Sequence, residues 1–224
     1  MRKQKYYGII PMIIILLILI FIYIYINNKK ETFQNDITIF ENRLEMIKSL
    51  VKKEGVYAEI GVFKGVLSEK LVNILNPKEL YLIDLYSGIV TSGDQDGNNV
   101  ESYNLDNSYN ELMNKYKNSN NIFLLKGFSY DVLNEFNDNY FDMIYLDGDH
   151  SYEGVKKDLE VSFKKIKNNG YIMGHDYEAN LEKTKNVYNF GVKKAVDEFC
   201  KKYNQKIYAK GMDGCASYAI VCKK

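Results

Sequence analysis

The sequence predicts a three-layer α/β domain with a mostly parallel sheet, and three observations support this prediction. Short apolar runs of strand length alternate with amphipathic segments of helical period over most of the chain. A glycine turn joins the first of these strands to the first of these helices. Polar and acidic residues follow one strand after another, at the sheet edge where ligands bind in such folds. The 224 residues have room for one such domain and a short appendage.

The appendage is an uncharged apolar stretch from Ile9 to Ile26, with basic residues on both sides. At about 1.5 Å per residue it is long enough to cross most of a hydrocarbon core. The residues after it lack the small side chains of a signal-peptide cleavage site, which favours a retained anchor. We therefore expect residues 1–30 to anchor a single-pass membrane protein, with the transmembrane helix at about 9–26.

The residues alone give conflicting indications of the orientation of this anchor. Arg2, Lys3 and Lys5 slightly outweigh Lys29 and Lys30, which under the positive-inside rule places the domain outside the cytosol. The cysteines fit neither a disulfide framework nor a metal-binding motif, and free thiols favour a reducing compartment. These cysteines are Cys200, Cys215 and Cys222.

Residues 31–55 are expected to form a polar linker, Glu31–Asp36, and a leading helix within Ile37–Lys53, and residues 56–224 the α/β domain. The predicted strands are Tyr57–Ile60, Leu80–Leu85, Ile122–Lys126, Phe141–Leu146, Tyr171–Gly174, Lys206–Lys210 and Ser217–Cys222. The predicted helices are Leu67–Leu75, Ser108–Tyr116, Ser129–Phe136, Tyr152–Ile166 and Gly191–Tyr203. The alternation implies parallel strands covered on both faces. No helix separates the last two strands, so they should pair as an antiparallel hairpin at one edge.

The glycine turn and the residue that ends the second strand indicate a nucleoside ligand. Gly61 and Gly65 let the backbone approach a ligand closely, since glycine has no Cβ. Asp84 stands where a carboxylate can accept hydrogen bonds from two ribose hydroxyls. The sequence has neither a full Gly-x-Gly-x-x-Gly nor a phosphate-binding Gly-Lys-Ser/Thr loop at this turn, which argues against a pyrophosphate or triphosphate ligand.

These motifs resemble those of the class I S-adenosylmethionine-dependent methyltransferases. Glu59–Ser68 has the Glu-x-Gly-x-x-x-Gly form of their first motif, and Asp84 matches their second. Phe141–His150 and Gly174–Tyr177 are most similar to the family 24 branch, which is related to macrocin-type sugar O-methyltransferases. The similarity runs from about residue 51 to the C-terminus, and it implies a Rossmann-like methyltransferase fold that binds S-adenosylmethionine.

The resemblance also implies which residues hold the cofactor. Gly61 and Gly65 would lie under its methionine part, with Glu59 anchoring this loop or the amino group, and Asp84 would hold the ribose. The adenine would be surrounded by the loop after the third strand. The residues expected to bind the cofactor are thus Glu59, Gly61, Gly65, Asp84, Gly127, Phe128, Ser129 and Asp147.

Catalysis requires the acceptor hydroxyl to be aligned and deprotonated, and two alternatives are open. In related O-methyltransferases a divalent cation such as Mg²⁺ or Mn²⁺ does this, and the matching ligands are Asp147 and Asp176. Catechol-type relatives have Asp-Asn where this chain has Asp176-Tyr177. Without a metal, His150 is the natural general base. The candidate catalytic residues are His150, Asp147, Asp149 and His175. In the metal alternative, Asp149, His150 or His175 would be a third ligand beside Asp147 and Asp176.

We therefore expect a membrane-anchored O-methyltransferase that acts on a hydroxyl of a small molecule, such as a sugar. The polar segments 87–107 and 178–190 are expected to cover the acceptor site. Since S-adenosylmethionine is made in the cytosol, this function favours a cytosol-facing domain. A net charge of +1 does not indicate the basic surface that nucleic-acid-binding proteins carry, and no nucleic-acid partner is expected. The alternatives are a catalytically silent binding module at a membrane and, less favoured, a nucleotide-dependent oxidoreductase.

Overall fold

The computed structural model describes residues 14–24, 37–92, 101–178 and 191–224. The chain divides into two compact units, Met1–Ile37 and Thr38–Lys224. In the first unit, residues 14–24 form a helix with exposed apolar side chains. In the second, strands and helices alternate as predicted.

The prediction of a transmembrane helix at 9–26, and with it the single-pass membrane localisation facing the cytosol, is wrong. Among the residues that the structure describes, no helix combines the length and the apolar character needed to cross a bilayer. The helix of residues 14–24 rises about 16 Å, roughly half of a hydrocarbon core. The rest of the predicted span, at 9–13 and 25–26, and the linker at 31–36 lie outside the described residues.

The strands are β1 (Thr38–Phe40), β2 (Val56–Ile60), β3 (Glu79–Asp84), β4 (Ile89–Ser92), β5 (Glu101–Asn104), β6 (Ile122–Lys126), β7 (Phe141–Leu146), β8 (Ile166–Glu178), β9 (Ile207–Gly211) and β10 (Ala216–Val221). The main sheet has the strand order β1-β9-β10-β8-β7-β2-β3-β6, and β4 and β5 form a separate hairpin. The helices of this unit are α1 (Arg43–Leu50), α2 (Val66–Leu75), α3 (Leu105–Tyr116), α4 (Ser129–Asn134), α5 (Tyr152–Lys165) and α6 (Val192–Lys202).

The pairing confirms a mostly parallel α/β sheet with an antiparallel C-terminal hairpin. Strands β6, β3, β2, β7 and β8 are parallel neighbours, whereas β10 runs antiparallel to both β8 and β9. The central strands are buried on both faces, with Ile144 in one apolar cluster and its neighbour Tyr145 in the other. This is the three-layer arrangement that the sequence predicts, and it brings the carboxyl ends of the parallel strands to one edge.

Two regions differ from the prediction. The leading helix was expected to begin near Ile37, but Thr38–Phe40 pairs in parallel with β9 as strand β1. Asn42 then caps α1, because its side chain accepts hydrogen bonds from the backbone N–H groups of Leu44 and Glu45, each at 3.0 Å. The polar segment 87–107 contains the β4–β5 hairpin and the start of α3 rather than only a loop. Its residues 93–100, and residues 179–190 of the second expected cover, lie outside the described residues.

Candidate active site

A cavity of about 610 Å³ opens at the carboxyl ends of β2, β3, β6 and β7. Its size is within the range of small-molecule and cofactor sites, about 300 to 1,000 Å³. The sequence-predicted residues that line it are Gly61, Asp84, Gly127, Phe128, Ser129, Asp147, Asp149 and His150. Among the other described candidates, Glu59, Gly65, His175 and Asp176 do not line this cavity. Most of the predicted site residues therefore line the cavity, and the other four lie behind or beside it.

The glycine turn is closely packed against its neighbours. Gly61 has a φ of 81°, and a Cβ atom there would overlap the carbonyl oxygen of Asp147. Its N–H donates to the carbonyl oxygen of Ile83 at 3.0 Å. Gly65 has a φ of 72°, and a Cβ atom there would overlap the side chain of Leu112. Both positions therefore require glycine, Gly61 for the approach of the β2 and β7 loops and Gly65 for the packing of α2 against α3.

Asp84 holds the glycine turn in place. Its Oδ2 accepts hydrogen bonds from the backbone N–H groups of Val62 at 2.8 Å and Phe63 at 3.0 Å. Its Oδ1 accepts from the N–H of Tyr86 at 3.1 Å. An ionised carboxylate has about four acceptor sites, so these three bonds leave capacity for a ligand hydroxyl. Asp84 thus both shapes the turn and presents an acceptor to the cavity.

Glu59 acts from behind the cavity. Its side chain is 1% exposed, and its Oε2 accepts a hydrogen bond from the Ser68 hydroxyl at 2.6 Å. Burial raises the pKa of Glu59 to about 8, with a smaller contribution from Asp147 and Asp84, while the Ser68 hydrogen bond acts in the opposite direction. At neutral pH this carboxyl is mostly protonated, and it ties the first turn of α2 to β2.

The loop after β6 and the start of α4 form another part of the cavity wall. Phe128 is 53% exposed and stacks on Tyr130, with 5.5 Å between ring centroids and 16° between ring planes. The Ser129 hydroxyl donates a hydrogen bond to Asp158 of α5, whose side chain also lines the cavity. Asp158 is only 4% exposed, and burial raises its pKa to about 6.

Asp158 was missed in the sequence because no motif marks it. The available signal is its place on the buried stripe of α5, between the core residues Val155 and Leu159. An acid at such a position needs a hydrogen-bond partner, and it therefore indicates a polar site behind the helix.

Two histidines and two aspartates form a cluster where β7 and β8 end. The His150 ring lies between two carboxylates, with Nε2 3.4 Å from Asp147 Oδ1 and Nδ1 3.4 Å from Asp176 Oδ2. His175 Nδ1 is 3.2 Å from Asp176 Oδ1. Burial lowers the pKa of His150, but the hydrogen bond to Asp147 and the charges of Asp176, Asp147 and Asp149 more than offset this and raise it. Burial likewise opposes ionisation of Asp176, yet the contacts with His175 and His150 lower its pKa.

Asp149 has a different position from the rest of the predicted catalytic set. Its Oδ1 accepts a hydrogen bond from the Ser151 backbone N–H at 2.8 Å, and Ser151 is the residue that caps α5. Its carboxylate also packs against Gly154, where a Cβ atom would overlap it. Although Asp149 lines the cavity, its contacts are those of a residue that shapes the turn before α5.

Arg43 of α1 joins this cluster, and the sequence analysis did not identify it. Its Nε donates to Asp213 Oδ2 at 2.5 Å, Nη1 lies 3.4 Å from Asp147 Oδ2, and Nη2 lies 2.6 Å from His175 Nε2. A guanidinium has donors only, so His175 Nε2 must accept, and the ring proton lies on Nδ1, toward Asp176. The sequence contains one signal that could have identified it, the rarity of arginine. Of the 30 basic residues, Arg2 and Arg43 are the two arginines, and all the others are lysines.

These contacts decide whether the cluster suits a divalent cation. Within the described residues, ligand atoms of Asp147, His175 and Asp176 lie within 4.8 Å of one another, close enough for a metal site. However, Arg43 contacts Asp147 and His175, and the other nitrogen of His175 faces Asp176. The candidate ligands are thus already bound by a guanidinium and by each other, and the arrangement does not fit a resident metal ion.

Comparison with known proteins gives the family. The family 24 methyltransferase model, described as a methyltransferase domain, matches residues 58–177, more than half of the chain. An uncharacterized protein of Acanthamoeba polyphaga mimivirus is 27% identical over 149 residues. That alignment covers 66% of this chain and 61% of the viral protein, so the chain spans about three fifths of this relative.

Solved structures share the fold at low identity. A Staphylococcus aureus protein provisionally assigned as a caffeoyl-CoA O-methyltransferase is 17% identical, with a TM-score of 0.54 over 80% of this chain and 82% of that one. Aeropyrum pernix fibrillarin, solved with natively bound S-adenosylmethionine, is 12% identical, with a TM-score of 0.55 over 80% and 73%. A Clostridium thermocellum protein provisionally assigned as an rRNA methylase is 15% identical, with a TM-score of 0.56 over 81% and 93%. The family match and this shared fold together show that the chain belongs to the class I S-adenosylmethionine-dependent methyltransferases, in family 24.

Proposed function

We propose that the protein transfers the methyl group of S-adenosylmethionine to a hydroxyl of a small-molecule acceptor such as a sugar. The observation that carries this proposal is the cavity itself, which the glycine turn, Asp84, Asp147 and His150 all line. A cofactor held by the turn and Asp84 would have its methyl group in the same cavity as His150. The family membership supports the cofactor, and the position of His150 supports transfer to a group that must lose a proton.

The cavity wall fits the three parts of the cofactor. Gly61 lines the cavity at the turn, where the methionine part would lie, and the remaining acceptor sites of Asp84 suit the ribose hydroxyls. The exposed face of Phe128 suits an adenine ring, and the Ser129–Asp158 pair adds hydrogen-bonding groups beside it. Glu59 and Gly65 would act indirectly, by holding α2 and the turn.

His150 is proposed as the general base. S-adenosylmethionine would supply an electrophilic methyl group, and its carbon–sulfur bond would break, the electron pair going to sulfur, as the acceptor oxygen bonds to the methyl carbon. The hydroxyl proton would pass to neutral His150, whose ring lies between the carboxylates of Asp147 and Asp176. Asp176 and Asp147 then stabilise the imidazolium that forms, which is the effect expressed in the raised pKa of His150. His175 would position Asp176, whereas His150 would remove the proton.

The first test is calorimetric titration of S-adenosylmethionine into the full chain. Asp84→Asn removes one acceptor oxygen from the turn and the cavity, and it should weaken binding about 10- to 100-fold, as expected for a hydrogen bond to a charged group. Asp138→Asn makes the same chemical change at an exposed acid paired with Lys165, and it should leave binding unchanged. No binding by the folded protein would favour the silent module, and tight NADH binding would favour the oxidoreductase.

The acceptor class is tested by transfer of labelled methyl from S-adenosylmethionine. Hydroxylated small molecules, including sugars and catechols, are offered beside RNA, because solved structures of the same fold include methylases of both kinds. The near-neutral chain, with a net charge of +1, favours the small molecules. Methylation of RNA alone would contradict the proposed acceptor while leaving the cofactor site intact.

A further inference from the structure

We propose that Arg43 takes the place of a divalent cation in this active site, so that methyl transfer proceeds without a bound metal ion. The guanidinium is a fixed positive charge, supplied by the chain itself, that orients Asp147 and His175 beside the base. The catalytic part of this inference rests on the proposed function. The exclusion of a metal ion from the cluster does not, and it can be measured separately.

Arg43 contacts three different groups with three different nitrogens. Nε reaches Asp213 at 2.5 Å, Nη1 reaches Asp147 at 3.4 Å, and Nη2 reaches His175 Nε2 at 2.6 Å. A guanidinium spreads its donors over three nitrogens in one plane, whereas a lysine ammonium presents all its donors from one nitrogen. The contacts with Asp147 and His175 are to two of the three side chains that could hold a metal.

The chain places Arg43 here through several close contacts. Strand β1 pairs with β9 so that Phe40 lies opposite Gly211, and the Met212 N–H donates to the Phe40 carbonyl oxygen at 3.1 Å. A Cβ atom on Gly211 would lie 2.7 Å from the Arg43 backbone nitrogen, so glycine permits α1 to begin this close to β9. Arg43 is the first residue of α1, and Asp213 lies in the turn between β9 and β10. The Arg43 side chain therefore starts at the sheet edge where β7 and β8 end.

The electrostatic surroundings keep this charge in place. The Arg43 side chain is 23% exposed. Burial disfavours its charge, but Tyr145, Asp213 and Asp147 more than offset this, and its pKa is raised. A divalent ion at Asp147 and Asp176 would have to lie beside this guanidinium and compete with it for Asp147. Like charges repel strongly at such distances in a half-buried site. The guanidinium and the metal ion are therefore alternatives.

Arg43 would act as a positioning residue. By donating to His175 Nε2 it leaves the ring proton on Nδ1, 3.2 Å from Asp176 Oδ1. Asp176 thereby receives one hydrogen bond from His175 and faces His150 with its other oxygen. The chain of contacts runs from Arg43 through His175 and Asp176 to the base. A metal ion bound at the same acids would polarise the acceptor directly, whereas Arg43 orders the groups that remove its proton.

The test is Mn²⁺ binding to the full-length protein, followed by the electron paramagnetic resonance signal of free Mn²⁺. The wild type should show no saturable binding at millimolar Mn²⁺. Arg43→Met frees the carboxylates of the cluster, and it should bind Mn²⁺ at least about tenfold more tightly. Arg43→Met combined with Asp176→Asn should lose this binding. Lys117→Met removes one positive charge from the exposed end of α3, and it should behave as the wild type.

Circular dichroism checks that each variant folds, and Arg43→Gln, which keeps a short donor but no charge, replaces Arg43→Met if that variant does not fold. Equal Mn²⁺ affinity in the wild type and in the folded Arg43 variant, lost in both on Asp176→Asn, would overturn the proposal. No gain of Mn²⁺ affinity in the folded Arg43 variant would also overturn it. If methyl transfer is never detected, the proposed function fails, yet these binding results still decide the role of Arg43.

Discussion

Replacing Glu59 by glutamine should change how the stability of the protein depends on pH. Glu59 is fully buried and accepts a hydrogen bond from Ser68, and burial raises its pKa from an ordinary value near 4.5 to about 8. The folded state therefore keeps a proton on this carboxyl at pH values where the unfolded chain has lost it. The resulting stabilisation is fully present below about pH 4.5 and is lost as the pH rises through 8.

The magnitude follows from proton linkage. At 1.36 kcal/mol for each pH unit, the interval between about 4.5 and about 8 corresponds to about 5 kcal/mol in the free energy of unfolding. Roughly 2 to 3 kcal/mol of this falls between pH 6 and pH 9, the range in which the unfolded carboxyl is already ionised. Glutamine is close in shape to a protonated glutamate and does not titrate. The free-energy difference between wild type and Glu59→Gln should therefore shift by roughly that amount, in favour of the variant, between these two pH values.

Urea unfolding at pH 6 and pH 9 measures this difference. Other groups titrate in the same range, including Asp158 and His150, but they are present in both proteins and cancel in the comparison. Glu111→Gln changes an exposed acid in the same way, and it should track the wild type at both pH values. If Glu59→Gln also tracks the wild type, Glu59 is ionised in the folded state, and its assignment as a neutral anchor is wrong.

Three further predictions concern the cavity. Gly61→Ala should abolish S-adenosylmethionine binding in calorimetry, because the added Cβ overlaps the carbonyl oxygen of Asp147 and the residue has a positive φ. His150→Gln should lower the methyl-transfer rate about 10²- to 10⁴-fold, and the wild-type rate should rise with pH as His150 loses its proton, a rise that the variant lacks. Phe128→Ala should weaken cofactor binding about tenfold with little change in unfolding free energy, since its ring is exposed and contacts only Tyr130 among the ring pairs of the described residues.

The central sheet could be predicted because its signals are local. The pattern of buried residues within Ile122–Lys126 or Phe141–Leu146 is set by a few neighbouring residues, and both strands lie where the sequence predicts them. Strand β1 could not be predicted in this way. It is three residues long and exists because it pairs with β9, which begins more than 160 residues later. Its own sequence is compatible with the first turn of a helix, so only the tertiary pairing decides its structure.

The same reasoning separates the candidate site into two parts. Asp84 ends β3, Asp147 follows β7 and Asp176 lies near the end of β8, so the parallel topology is enough to bring them to one edge. The contact between Arg43 and Asp147 spans 104 positions, and it depends on where β1 joins the sheet. A pattern of residues in the chain does not contain that information. What the sequence does contain is an imbalance, because acids collect at the edge without a visible positive partner.

This imbalance has a physical resolution in the fold. The carboxylates of Asp147, Asp176 and Asp213 are 22%, 8% and 23% exposed, and burying such groups is costly unless positive charge lies among them. A bound divalent ion is one solution, and the acids at the strand ends made it the natural expectation. Arg43 is the other, and it reaches Asp147 and Asp213 directly while His150 and His175 contact Asp176. An acid cluster at the strand ends of such a sheet therefore predicts a cation, but the identity of that cation depends on the strand that joins the sheet edge.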